Sequence, residues 1–300
     1  MYEFSLFGRF EARRDNQLLN GFEARKVQEL FCYLATFRDR SHPREALADM
    51  LWEGYPAAST KKNMRQTLWQ LQSALDVPPH AIPVVLVESE FLSLNPEAEV
   101  LIDTAVFEAA AYAVRDTSGY QLNSEQASTL HHAVTLYRAD FLEGWYSDWC
   151  LHERERYHDL FLMMLDKLIC YYEAKQEYET ALYFCNRALR EEYVRERTHR
   201  QLMRLYYLLG DRTAALRQFE RCKEALEEAL GVSPGQRTCH LYEYICNDDA
   251  TAVLLDTSPA ALTSELGNDF PELLSHLMEL KSALDGMHWQ ALRRFSQDAV

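Results

Sequence analysis

Polar and apolar residues alternate along the first residues of the chain. Tyr2, Phe4 and Leu6 keep a period of two, as side chains on a half-buried strand do, and Gly8 interrupts the run before Phe10. The pattern therefore predicts strands at the N-terminus. The same segment lacks the basic-then-apolar layout of a signal peptide.

The period then changes to that of a helix. From Val27 to Leu34, apolar residues recur at i, i+3, i+4 and i+7, which places them on one face. Pro43 is predicted to open a second short helix, because a missing N–H costs nothing at a first helical position. After a turn-rich stretch, Ser59 or Thr60 can cap a third helix. Spacings of four, three and four residues predict its buried stripe: Met64, Leu68, Leu71 and Leu75.

Two short apolar runs follow the third helix. They cover Val84 to Val87 and Phe91 to Leu94, and the residues Glu88, Ser89 and Glu90 between them read as the turn of a hairpin. Strands, three helices and a terminal hairpin predict a winged helix-turn-helix over residues 1–97. In that motif the last helix enters the major groove of DNA.

No strand signal remains from Asp103 onward, and a repeat appears instead. Five positions recur 34 residues later: Leu168, Tyr172, Ala181, Leu182 and Cys185 return as Leu202, Tyr206, Ala215, Leu216 and Phe219. This spacing, with a small Ala in the second helix, is the signature of the tetratricopeptide repeat. Two repeats cannot bury their faces alone, so helices around 125–137, 148–160 and 236–245 are expected to cap them.

The predicted fold class is therefore mainly α. An N-terminal α+β winged helix-turn-helix precedes an all-α tetratricopeptide-like repeat domain over residues 98–246. Residues 247–269 are expected to be a linker or a loosely held loop. Residues 270–298 return to a helical pattern, with Leu273, Leu277 and Leu280 on one face, so 247–300 is predicted as a linker and helical extension.

Charge is distributed unevenly along this arrangement. The chain carries 46 acidic and 31 basic residues, a net charge of -15. Residues 1–100 hold 11 basic and 14 acidic residues, so the acidic excess belongs mostly to the second part. The third helix departs from the trend, because Lys61, Lys62 and Arg65 occur between Ser59 and Leu75 without one acid.

Several classes of function find no support in the residues. Seven scattered cysteines lack C-x-x-C pairs and metal-ligand spacing, so neither disulfides nor a metal site is expected. No nucleotide-cradling glycine motif and no nucleophile beside the histidines occur, so we expect neither an enzyme nor a cofactor. No apolar run is long enough to span a membrane. The chain is expected to be cytoplasmic.

The polar face of the third helix carries side chains that can read bases. Asn and Gln pair with adenine and Lys donates to guanine, so the predicted base-reading residues are Lys62, Asn63, Gln66 and Gln70. Trp69 lies on this face and has two interpretations. It packs under the wing, which we favour, or it contacts a sugar or a thymine methyl group. Four cations are candidate phosphate contacts, and the alternative is that each is an ordinary surface charge. They are Lys61, Arg65, Arg25 and Lys26.

Six segments together resemble the antibiotic-regulatory-protein (SARP) family of bacterial transcription activators. They are RKVQELFCYLA, REALADMLW, KNMRQTLWQLQSAL, LIDTAVFEAA, AVTLYRADFLEGW and RERTHRQLMRLYYLLGDRTAALRQFERCKEALEEALGVSPG, within residues 2–246. The family joins a response-regulator-type (OmpR-type) winged helix to a bacterial transcriptional activator domain. The resemblance implies binding to promoter DNA, contact with RNA polymerase, and side-by-side homodimers on direct repeats if the protein binds as a pair.

Two departures from the family pattern both remove positive charge. Gln70, Leu71 and Gln72 replace an Arg-Leu-Arg type run, and the wing carries Glu88 and Glu90 where family wings are often basic. Fewer cations near phosphate lower the expected non-specific affinity. We therefore hypothesise a sequence-specific DNA-binding transcriptional activator. The alternative is a protein-interaction or signal-binding module whose winged helix has weak or no DNA affinity.

Overall fold

The computed structural model describes residues 1–75 and 82–255. Its strands are β1 (Tyr2–Ser5), β2 (Glu11–Arg14), β3 (Gln17–Leu18), β4 (His42–Pro43), β5 (Val85–Val87), β6 (Phe91–Leu94) and β7 (Val100–Ile102). Its helices are α1 (Arg25–Thr36), α2 (Arg44–Leu51), α3 (Ala57–Leu75), α4 (Asp103–Ala113), α5 (Ser124–Leu136), α6 (Asp148–Ala174), α7 (Tyr178–Glu191), α8 (Glu196–Leu208), α9 (Arg212–Leu230), α10 (Gln236–Cys246) and α11 (Ala250–Leu255). The fold class is mainly α, as predicted.

A four-stranded sheet at the N-terminus has the order β3-β2-β1-β7. β1 pairs antiparallel with β2 and parallel with β7, where Tyr2 lies opposite Val100 and Phe4 opposite Ile102. β7 is absent from the sequence-based prediction. Three residues that run directly into α4 are too few to display a period of two, and their partner strand lies almost a hundred residues away.

The winged helix-turn-helix consists of α1, α2, α3 and a second sheet of order β4-β6-β5. β5 and β6 pair antiparallel around the turn at residues 88–90, which confirms the predicted hairpin. The predicted stripe of α3 is buried, with Met64, Leu68, Leu71 and Leu75 each at most 4% exposed. This stripe fixes which face of α3 remains in solvent.

Two helix starts differ from the prediction. Pro43 lies in β4 and immediately precedes α2 instead of forming its first residue. α3 begins at Ala57, so Ser59 and Thr60 lie in its first turn and do not cap it. Their backbone N–H groups donate to the carbonyl oxygen of Pro56 at 2.8 and 3.1 Å. The helix can begin earlier because the carbonyl of Pro56 is already positioned to accept these bonds.

The chain divides into two compact units, and the first comprises Met1–Asp116 with Asn123–Leu165. In this unit the Asp103 carboxylate at the start of α4 accepts from the N–H groups of Leu6 at 2.9 Å and Phe7 at 3.0 Å. The Leu142 N–H donates to the Leu6 carbonyl at 2.8 Å. The compact unit thus extends past residue 97. The sequence-based boundary after residue 97, between the winged helix-turn-helix and the repeat domain, does not coincide with the edge of this compact unit. That boundary stays a prediction.

A buried carboxylate adds to the packing of the first unit. Glu108 of α4 is 6% exposed and pairs with Arg38 after α1 and with Arg156 of α6. The Tyr157 hydroxyl also donates to Glu108 at 2.9 Å. Because a buried charge is costly unless it is fully paired, this set of donors explains how Glu108 is tolerated there.

The second unit comprises Thr117–Leu122 and the described residues from Asp166 onward. Here α7, α8 and α9 pack in sequence, and Ala181 and Ala215, the small residues of the predicted repeats, are fully buried. Phe219 stacks on Tyr242 of α10 with ring centroids 4.2 Å apart. A helical domain with paired helices is therefore confirmed, and α10 covers the last pair.

Two predictions about helical segments are wrong. α6 runs unbroken from Asp148 to Ala174, so the expected capping helix over 148–160 and the first repeat helix are one element. Residues 250–255 form α11 instead of a linker, because Val253 packs with Met203, Leu241 and Ile245 in a buried cluster. The predicted helix over 270–298 lies outside the described residues.

Candidate nucleic-acid interface

The solvent face of α3 carries the predicted base-reading residues. Lys62 and Gln66 are exposed, and Asn63 and Gln70 are half-buried. Lys62 forms no ion pair with any residue in the described part of the chain. The face offers amide and ammonium donors, together with amide acceptors, the groups that match base edges in a major groove.

Trp69 lies on the same face and is 67% exposed. The favoured interpretation, in which Trp69 packs under the wing, is therefore wrong. The wing turn does not cover the indole, because the buried stripe of α3 turns the helix so that position 69 points into solvent. An exposed Trp adds an apolar surface to an otherwise polar face.

Two contacts with the N-terminal sheet region position the C-terminal end of α3. The Tyr2 hydroxyl donates a hydrogen bond to the carbonyl oxygen of Leu75, the last residue of the helix. Gly21 approaches Ala74 so closely that a side chain at position 21 would collide with it. The sheet therefore sets the direction in which the base-reading face points.

Each of the four predicted phosphate contacts has an intramolecular partner. Lys61 pairs with Glu45 of α2 at 2.7 Å, and both side chains are exposed. Lys26 pairs with Glu29 one turn along α1 at 2.8 Å. These two ammonium groups are thus partly neutralised by carboxylates of the same chain.

The two arginines use neutral partners. The Arg65 guanidinium donates through Nε to the carbonyl oxygen of Lys61 at 3.3 Å. Arg25 stacks over the ring of Trp145 at 4.3 Å, a cation–π contact that holds the side chain without removing its charge. Their positive charges therefore remain available at the surface.

A groove of ≈ 590 Å³ lies between α2, α3 and the wing. Its charged lining consists of Arg44, Glu45, Lys61, Arg65 and Glu90. Arg44 and Glu45 are absent from the predicted site. Both residues lie in the first turn of α2. Nothing in the sequence indicates that they face α3 across the groove.

The tip of the wing is negatively charged. The exposed wing tip carries Glu88 and Glu90, and the Glu88 N–H closes the hairpin by donating to the Phe91 carbonyl at 3.0 Å. The pKa of Glu45 is lowered and that of Lys61 is raised, first by their hydrogen bond and then by their opposite charges. The pair is therefore charged at neutral pH.

Among residues 1–75 and 82–255, no cluster of three or more His, Cys, Asp or Glu side chains could hold a metal ion. No helix within those residues is both long and apolar enough to cross a membrane.

Residues 102–246 match the model of the bacterial transcriptional activator domain. The chain therefore contains this domain, and the resemblance to the antibiotic-regulatory-protein type of regulator is confirmed.

The fold is also similar to that of a solved structure. The structure of Mycobacterium tuberculosis EmbR in complex with a low affinity phosphopeptide aligns with a TM-score of 0.63 and 19% identity, over 85% of this chain and 69% of that chain. At this identity the likeness establishes the fold. No curated protein sequence matches the chain.

Proposed function

We propose that the protein is a sequence-specific DNA-binding regulator that reads the major groove with α3. The observation that carries this proposal is the division of α3 into two faces. One is a buried apolar stripe, and the other presents Lys62, Asn63, Gln66, Gln70 and Trp69 to solvent. A helix held by one face and polar on the other meets the geometric requirement for insertion into a groove.

Base contacts would supply the specificity. Asn63, Gln66 and Gln70 can each form two hydrogen bonds with adenine, and Lys62 can donate to guanine. The Trp69 ring can contact a thymine methyl group or a sugar. Lys61, Arg65, Arg25 and Lys26 would contact phosphates, which position a protein without specifying sequence.

The helical domain would carry the second half of the function. A domain of the bacterial transcriptional activator type over residues 102–246 supports contact with RNA polymerase and thus activation. Side-by-side homodimers on direct repeats would add affinity that a surface with few unpaired cations lacks. Partners of this kind would be met in the cytoplasm.

A second candidate function rests on the pairing of the cations. If Glu45 and Glu29 neutralise Lys61 and Lys26 permanently, and the wing remains acidic, the winged helix would have weak or no DNA affinity. The chain would then be a protein-interaction or signal-binding module. The two functions differ in whether α3 selects a sequence.

Selection from a random double-stranded DNA library with the full chain, at one low and one physiological salt concentration, tests the proposal. We expect an enriched motif that is lost in a variant carrying Lys62→Ala, Gln66→Ala and Gln70→Ala. A matched control carries three alanine substitutions on the exposed face of α9, at Glu220, Lys223 and Glu227. The absence of an enriched motif at low salt would overturn the proposal in favour of the interaction module.

A further inference from the structure

The ion pair between Glu45 and Lys61 links α2 to α3 at the edge of the candidate interface. We infer that Glu45 is an internal competitor for DNA phosphate, which limits the part of the affinity that does not depend on sequence. This inference rests on the proposed function, since it presupposes that α3 approaches DNA. Glu45 itself lies outside the predicted set of DNA contacts.

The Glu45 carboxylate lies at the position from which a DNA phosphate would contact the Lys61 ammonium. The Glu45 oxygen lies 2.7 Å from the Lys61 ammonium, the separation of a charge-assisted hydrogen bond. Both residues line the groove between α2, α3 and the wing, beside Arg44 and Arg65. A phosphate oxygen entering the groove would accept from the same ammonium hydrogen atoms, so that Glu45 and DNA compete for one donor.

Exposure makes this competition reversible. The side chains of Lys61 and Glu45 are 63% and 77% exposed, so water and salt screen the pair and either partner can turn away. Lys26 and Glu29, by comparison, pair within one helix, and Glu29 is only 11% exposed. The pair at Glu45 is therefore the one that DNA can displace at small cost.

Two physical effects follow when Glu45 is replaced by Gln. Lys61 becomes available to phosphate without first losing a carboxylate, and a negative charge leaves the surface that faces the DNA. The measured strengths of exposed ion pairs correspond to a gain in affinity of roughly two- to five-fold for any sequence. One more effective phosphate contact makes the slope of log affinity against log salt steeper by about one.

A purely local role for Glu45 makes a different prediction. Glu45 lies in the first turn of α2, where a carboxylate stabilises the positive end of the helix dipole. If this is its only role, Glu45→Gln lowers stability slightly and leaves DNA binding unchanged. If Glu45 acts through general charge alone, its effect persists when Lys61 is replaced.

The experiment compares five forms of the full chain: wild type, Glu45→Gln, Glu99→Gln, Lys61→Met and the double variant Glu45→Gln/Lys61→Met. Glu99 is a matched control, an exposed acid in the turn before β7 that does not line the groove. Affinity for the selected site and for a scrambled duplex is measured over a series of salt concentrations. Thermal melting confirms that each form is folded.

We expect Glu45→Gln to bind both duplexes roughly two- to five-fold more tightly than Glu99→Gln, with the steeper salt slope. The gain should be clearly smaller in the Lys61→Met background, where only the loss of the Glu45 charge remains. Equal behaviour of the two glutamine variants, or a gain that is undiminished by Lys61→Met, overturns the inference. The proposed function fails separately, if wild type does not distinguish the selected site from the scrambled duplex. If no form binds either duplex, the inference about Glu45 and the proposed function are both overturned.

Discussion

Gly21 lies so close to Ala74 that a Cβ atom on Gly21 would come within 2.7 Å of the Ala74 Cβ and 3.0 Å of the Ala74 Cα. Ala74 belongs to the last turn of α3 and is buried. The backbone of Gly21 has φ +93°, a conformation that side chains disfavour. The glycine thus lets the loop before α1 lie against the helix that carries the candidate DNA face.

Gly21→Ala should therefore destabilise the protein by about 2 kcal/mol or more, from overpacking and backbone strain together. Urea unfolding of the full chain measures the effect. Gly54→Ala is the matched control, because Gly54 also has positive φ, +80°, but has no atom within 4 Å of the added Cβ. The control should lose only about 1 kcal/mol, the cost of strain alone. Equal losses would show that the contact with Ala74 does not matter.

Gln66→Ala and Lys61→Ala should change DNA binding in different ways. Loss of the Gln66 amide should relax the preference at one base pair by about 1–3 kcal/mol and leave other positions unchanged. Loss of the Lys61 ammonium should weaken binding to all sequences and reduce the salt slope by less than about one, because Glu45 already competes for this ammonium group. Competition binding with single-base variants of the selected site, repeated over a salt series, separates the two effects. A uniform loss for Gln66→Ala would remove it from the base-reading set.

The spacing of apolar residues predicted correctly those buried faces that depend on residues close together in the chain. The stripe from Met64 to Leu75 predicted which face of α3 is buried, and the 34-residue repeat predicted the buried Ala181 and Ala215. The strand β7 and the helix α11 were missed, because each depends on a partner distant in the chain. A short apolar segment such as 250–255 becomes a helix only where Val253 finds a buried cluster to join.

The candidate site shows the same limit. Residue types on α3 predicted which side chains could read bases, and all of them lie at least partly in solvent. The partners of the cations could not be predicted, because they lie in other elements. Glu45 of α2 pairs with Lys61 of α3, and Arg25 of α1 stacks on Trp145, which lies in a loop distant in the chain. The exposure of Trp69 follows from its position opposite the buried stripe of α3. The prediction that the wing covers it required a contact between two elements, which the spacing in α3 does not determine.

The packing of the first compact unit predicts that residues 1–97 do not form a stable domain on their own. In that fragment β1 loses its parallel partner β7, and the N–H groups of Leu6 and Phe7 lose the carboxylate of Asp103. Leu6 and Phe7, 0% and 4% exposed in the protein, would also face water. Each orphaned or exposed group costs about 1–3 kcal/mol, a large share of the stability of a small domain.

A fragment of residues 1–165 is the matched comparison, since it retains β7, Asp103 and the rest of the first unit. Circular dichroism with urea titration should give a cooperative transition for 1–165 and a broad or absent one for 1–97. A second check is Asp103→Asn in the full chain, which keeps the shape but weakens the bonds to Leu6 and Phe7. A cooperative transition of the short fragment, at the same midpoint as the longer one, would contradict the prediction.

Buried His199 on α8 predicts how the stability of the second unit depends on pH. Its Nε2 lies 2.9 Å from the Tyr193 carbonyl oxygen, which can only accept, so Nε2 carries the hydrogen; Nδ1 then accepts from the Gln218 amide at 2.7 Å. Burial first of all lowers the pKa of His199 below its ordinary value. The fold therefore favours the neutral ring.

Between this lowered pKa and the unfolded value of about 6.5, the unfolded chain binds more protons than the folded chain. Stability should consequently fall as the pH drops through about 6.5 and level off below the folded pKa of His199. Carboxylates remain mostly ionised between about pH 8 and about pH 6, so melting temperatures in that interval report mainly histidines. His199→Gln should be less stable at about pH 8, yet lose less on acidification than wild type. His240→Gln, which removes an exposed histidine of α10, should keep the wild-type slope; if it flattens the slope as much as His199→Gln does, His199 is not the group responsible.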